Sequence, residues 1–168
     1  MSKEKQKRLS RKRVVVISII AIGIILLSIG AYTLLANKYR ASSENPGFET
    51  LTPRGKSADD FGGWKRVSPP KSDPVFAYTD SIKGVPILVS QQAMPASFTG
   101  NINDEVTALA KQFNAAAEID ANGIIIYIGT SAKGPQSVIF TKNDLLILIK
   151  SQKQIENSAW AEYVKLLS

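Results

Sequence analysis

The residues with the most chemical potential stand together in Gly129-Thr130-Ser131-Ala132-Lys133-Gly134, where two glycines frame a hydroxyl pair and an amine. That glycine spacing is the spacing of a phosphate-binding loop. Such a loop, however, sets Lys and Ser/Thr directly after its second glycine and opens a helix whose N-terminal amides face the phosphates. Here Pro135 and Gln136 follow instead, and then the strand-like run SVIFT at 137–141. The stretch reads as a hairpin loop. Thr130, Ser131 and Lys133 are then polar groups at its tip, a candidate binding site for an anionic ligand.

A Ser-Lys dyad is the serine hydrolase design that works without histidine. Ser131 with Lys133, or Ser90 with a distant lysine, are the pairs to weigh. Ser90-Gln91-Gln92-Ala93-Met94-Pro95 lacks the close Ser-Met-Pro grouping around a signal-peptidase nucleophile. Loop positions two apart also do nothing to bury a lysine, and burial is what would lower its pKa. Paired carboxylates, as in glycosidases, need two acids across a cleft, and Asp73, Asp80, Asp104, Glu105, Glu118 and Asp120 are available. Their local positions have structural explanations: Asp104 and Glu105 in the first turn of an expected helix, Asp80 ahead of a turn, Asp120 just before Ala121-Asn122-Gly123. Trp64, Phe76, Tyr78, Tyr127 and Trp160 would line a sugar or peptide groove, but aromatic residues on strands and helix stripes are more often core. Gln91 and Gln92 at a strand end offer amides to a ligand, or simply an exposed strand end.

Composition closes other routes. The chain has no cysteine and no histidine, which removes thiol nucleophiles, Ser-His-Asp triads, disulfide frameworks and Cys/His zinc sites. No cofactor, metal site or catalytic residue is expected. The formal charge of +7 also shrinks on division, because residues 1–13 carry a net +6, residues 37–60 are balanced, and residues 61–168 carry only +1. A basic nucleic-acid footprint is missing from the part that folds, so no nucleic-acid partner is expected.

Those candidate residues must be held by something. The basic tail of 1–13 is followed by 23 uncharged residues, 14–36. As a helix this run spans about 34 Å against a hydrocarbon core of roughly 30 Å, so it predicts one transmembrane helix with the lipid bilayer as its partner. The positive-inside bias puts the N-terminus in the cytoplasm and the remainder outside. The run is too long for a cleaved signal peptide, whose apolar region is shorter. Ala21 with Ser28 and Gly23 with Gly30 recur at spacing seven, which allows weak self-association through this helix. Residues 37–60, rich in Ser, Pro and Gly, read as a flexible linker reaching about 27 Å, the alternative being that Phe48 to Leu51 packs on the domain as an extended arm.

Residues 61–168 then read as one extracytoplasmic α+β domain: an antiparallel sheet of five to six strands with two amphipathic helices on one face. Strands are expected at 64–67, 75–79, 85–91, 124–128, 137–141 and 145–149, with Lys83-Gly84 turning a hairpin. One helix begins at Asn103-Asp104-Glu105 and buries Val106, Leu109, Ala110 and Phe113. The other covers 158–167 and buries Trp160, Tyr163, Val164 and Leu167.

Residues 75–92 (VFAYTDSIKGVPILVSQQ) and 127–152 (YIGTSAKGPQSVIFTKNDLLILIKSQ) carry a resemblance. The sequence resembles a group of membrane-anchored proteins encoded by small-genome bacteria of the Saccharibacteria type. That group has no assigned activity, so the resemblance implies a bacterial envelope setting and carries over no functional residue. The expectation is a single-pass envelope protein whose outer domain binds a partner protein or wall polymer without catalysis. The alternative is an envelope hydrolase using paired carboxylates or a Ser-Lys dyad.

Overall fold

The computed structural model describes residues 45–168, all within the second of two units, 1–40 and 41–168, into which the chain divides. Seven strands form one antiparallel sheet: β1 (Lys65–Arg66), β2 (Phe76–Ile82), β3 (Val85–Ala93), β4 (Ala115–Asp120), β5 (Ile125–Thr130), β6 (Gln136–Lys142) and β7 (Leu145–Ser151). Their spatial order is β1-β2-β3-β7-β6-β5-β4. Two meanders are thus joined where β3 pairs with β7, from Ile87↔Ser151 to Ala93↔Leu145. The helices are α1 (Ile102–Gln112), between β3 and β4, and α2 (Asn157–Leu166) at the end; a 3₁₀ turn, Ala58–Phe61, precedes β1.

Turn chemistry sets the hairpins. Lys83-Gly84, Asn122-Gly123 and Asn143-Asp144 each place two successive residues at positive φ, the backbone that joins right-twisted strands by a two-residue loop. Pro86 is tolerated in β3 because it faces Ser81 of β2, while the β7 ladder on the other side begins only at Ile87. Its missing N–H therefore breaks no second ladder. The Asn101 side chain caps α1, accepting from the Asn103 N–H at 3.0 Å, and Asp104 and Glu105 occupy the first turn.

Register assigns each side chain to a face. Tyr78, Val89, Ile149, Val138 and Ile128 follow one another across five strands and belong to the main core with Trp160, Tyr163 and Val164 of α2. The other face carries Ile139 and Tyr127, which are register partners. There α1 packs, with Thr107 Oγ1 and Tyr127 Oη 2.8 Å apart.

The fold expected from the sequence is corrected on four points. The sheet has seven strands, not five to six. The unexpected one is β4, AAAEID, whose alanines carry little strand preference; it forms because the α1–β4 turn lays it along β5, where its residues alternate half-buried and exposed. The two helices lie on opposite faces rather than one. No helix among the described residues is long and apolar enough to cross a membrane, and the run 14–36, on which the transmembrane expectation rested, lies outside the described residues. Finally, the described part of the expected linker, 45–60, belongs to the folded domain. Leu51 is 1 % exposed, Pro53 bridges Leu167, and Thr52 and Ser168 exchange both backbone hydrogen bonds at 2.9 and 3.3 Å.

Candidate functional site

The hairpin between β5 and β6 presents the residues singled out as a binding tip. Thr130 and Gln136 are register partners at its base. Beyond them the Ser131 N–H donates to the Pro135 carbonyl and the Gly134 N–H to the Ser131 carbonyl, both at 2.9 Å. Gly134, at φ +96, occupies backbone that a side chain would strain. Thr130, Ser131 and Lys133 are all exposed, but they are not equivalent. The Thr130 hydroxyl accepts from Gln136 Nε2 at 3.2 Å, which leaves Ser131 and Lys133 as the outward pair. The chain enters strand β6 after this loop and not a helix, so the phosphate-loop arrangement of glycine loop followed by helix is absent there.

What makes the tip a firm platform is Gln136, a residue that sequence reasoning passed over. It is 3 % exposed, and its Oε1 accepts from the Ile155 N–H at 2.7 Å and from Trp160 Nε1 at 3.1 Å. One amide therefore ties the hairpin base to the entry of α2. A polar residue opening a strand gives no periodicity signal, and only the arrival of Trp160 from elsewhere in the chain gives it a task.

The dyad candidates separate clearly. Ser131 and Lys133 stay two apart on an exposed loop. Ser90, by contrast, shares a face with a lysine: Ser90 pairs with Leu148 and Leu88 with Lys150, so Ser90 and Lys150 are diagonal neighbours on β3 and β7. Ser137 of β6 stands directly opposite Lys150. Burial pushes the Lys150 amine down to about 8, the direction a general base requires. Access decides against the pair as it stands, since Ser90 is only 5 % exposed and a nucleophile must meet its substrate.

The carboxylates hold structural bonds or lie scattered. Asp80 Oδ2 accepts from the Tyr163 hydroxyl at 3.1 Å and its Oδ1 from the Ser81 N–H at 2.8 Å. Lys56 pairs with it at 3.8 Å. The Tyr78 and Tyr163 hydroxyls are 3.3 Å apart, and burial drives both phenols well above the ordinary tyrosine range, so neither moves a proton near neutrality. Phe61 and Trp64 lie against Tyr78 with ring centroids 4.8 and 4.9 Å away. This cluster packs the segment before β1 onto β2. Asp120 accepts from the Gly123 N–H, while Asp73, Asp104 and Glu118 are exposed. Trp64, Phe76, Tyr78 and Trp160 are buried and Tyr127 is half-buried, which makes them core residues rather than a groove. Gln91 is buried too. Its Oε1 accepts from the Leu51 N–H at 2.8 Å and its Nε2 donates to the Leu51 carbonyl at 2.6 Å. Lys142 caps the end of α2, donating to the Val164 carbonyl at 3.2 Å and to the Leu167 carbonyl, with burial holding its amine below the usual lysine range. Among the described residues no group of three or more acidic, Cys or His side chains is placed to hold a metal ion.

Compared with protein-family models, curated proteins and solved structures, the chain matches none.

Proposed function

We propose that residues 45–168 form a non-catalytic binding domain of a bacterial cell envelope, taking a partner protein or a wall polymer at the β5–β6 tip. The observation that carries this reading is the contrast between the tip and the acids. Ser131 and Lys133 project from a hairpin braced by a buried glutamine, whereas Asp80 is bonded to Tyr163 of α2 and Asp120 to the Gly123 N–H of its own turn. Placement at the cell membrane, N-terminus inside, rests on the charge distribution of residues 1–36 and on the resemblance named above.

The test is a photo-crosslinking amino acid placed at Lys133 of the full chain, in its own cells, with Asn143 as the comparison. Asn143 lies in the β6–β7 turn at the opposite end of the same strands. Adducts from position 133 and none from 143 support the tip. Equal labelling, or labelling only at 143, removes it.

The hydrolase alternative is favoured by one observation, the shared face of Ser90, Ser137 and Lys150. Ser90→Ala, Ser137→Ala and Lys150→Met, together with Asp80→Asn and Asp120→Asn, test it. Function lost in a still-folded variant would install that reading instead.

A further inference from the structure

Asn122 and Gly123 form the two-residue turn between β4 and β5. Both are exposed and both have positive φ, +64 and +85. The Ala121 N–H donates to the Ile124 carbonyl across the turn at 2.8 Å. The Gly123 N–H donates to Asp120 Oδ1 at 2.5 Å. Asn followed by Gly is the dipeptide most prone to lose its side-chain amide, because nothing on glycine hinders its backbone nitrogen from reaching the asparagine Cγ. In that reaction the Gly123 nitrogen bonds to Asn122 Cγ, its proton passes through solvent to the departing nitrogen, and ammonia leaves. A five-membered succinimide results. Water then opens one of its two C–N bonds, giving an aspartyl or an isoaspartyl residue.

We infer that Asn122 is a deamidation site which the native turn keeps latent, and that Asp120 is the residue holding it so. The attacking species is the Gly123 amide after it has lost its proton. A carboxylate is far too weak a base to take that proton; its negative charge at hydrogen-bond distance instead disfavours the amide anion. The bond also keeps the Gly123 N–H aimed at Asp120. Once the bond opens, reaction follows, and the isoaspartyl product adds a backbone methylene to a turn whose length sets the register of the edge strand β4.

The experiment incubates the full chain at mildly alkaline pH and follows each asparagine by peptide mass spectrometry, with ammonia release as a second readout. Asn122 in the native chain should react more slowly than in the same chain in concentrated urea. Asp120→Ala should speed the reaction at Asn122 by about five-fold or more, the equivalent of one hydrogen bond. Glu118→Ala removes an exposed carboxylate two positions away on the same strand without touching the bond, and should leave the rate unchanged. The inference fails if Asp120→Ala is no faster than the native chain, or if Glu118→Ala accelerates the reaction equally. It also fails if Asn143 and Asn157 accelerate in parallel with Asn122, since the whole domain would then be opening, or if Asn122 in the native chain already reacts at the urea rate.

Discussion

Replacing Gln91 by Leu tests whether the segment before the sheet belongs to the fold. The two side chains have similar volume, so the change opens little cavity and acts on two hydrogen bonds. In the native domain Gln91 is 0 % exposed and holds both backbone groups of Leu51 at 2.8 and 2.6 Å. With leucine in its place, the Leu51 N–H and C=O either stay buried without partners or leave the core. The first outcome costs about 1–3 kcal/mol for each group. The second forfeits the burial of Leu51, which as a Leu→Ala change is worth about 2–5 kcal/mol. Either way the loss is about 3 kcal/mol. For a domain of this size that lowers Tm by about 10 °C. Urea unfolding followed by tryptophan fluorescence reads it, because Trp64 and Trp160 are both buried. Hydrogen exchange at the Thr52 and Arg54 amides, which donate to Ser168 and Leu166, shows whether the arm has left. Coupling supplies a second check: Leu51→Ala combined with Gln91→Leu should cost well under the sum of the two, since each releases the same segment. A loss below about 1 kcal/mol with the Thr52 and Arg54 amides still protected would refute the reasoning, because buried backbone groups cannot stay unpaired at so low a cost.

Gly129→Ala should unfold or grossly loosen the α1–β4 side, because an added Cβ would overlap the Phe113 backbone oxygen and approach Asn114 C at 3.3 Å; exchange protection lost at β4 first is the expected sign. Gln136→Ala orphans the Ile155 N–H and Trp160 Nε1–H and should cost about 3 kcal/mol in urea unfolding, with Trp160→Phe recovering part of that loss in the double variant. Stability also carries a pH signature. Lys150 is held at about 8 against an ordinary 10.5, so between these values the unfolded chain binds more protons and stability should rise with pH; Lys150→Met should abolish that rise. Above pH 10 the sign reverses, because Tyr78 and Tyr163 keep their protons in the fold while the unfolded phenols ionise. Urea midpoints measured from pH 7 to 11 check both limbs, and a flat profile would contradict them.

The sequence by itself determined the elements whose signal is local. The hairpin at Lys83-Gly84 was legible because the turn residues dictate the backbone, and the apolar positions of α1 and α2 because one face of a helix repeats every three to four residues. The hairpin tip at 131–135 was legible for the same reason: glycine, proline and polar residues between two apolar runs. Tertiary structure decided the rest. An Ala-rich segment became β4 because a neighbouring strand was there to pair with it, which overrides a weak propensity. The helices took opposite faces because register, not periodicity, assigns a residue to a side of the sheet, and register depends on which strands meet. Gln91, Gln136 and Asp80 are polar residues with no pattern of their own, and they acquired partners 40, 24 and 83 positions away in Leu51, Trp160 and Tyr163. A buried amide is affordable only when its partners arrive with good geometry. That arrival is a property of the assembled chain, so the tasks of Gln91, Asp80 and Gln136, the last of which braces the candidate site, could not be announced by the sequence.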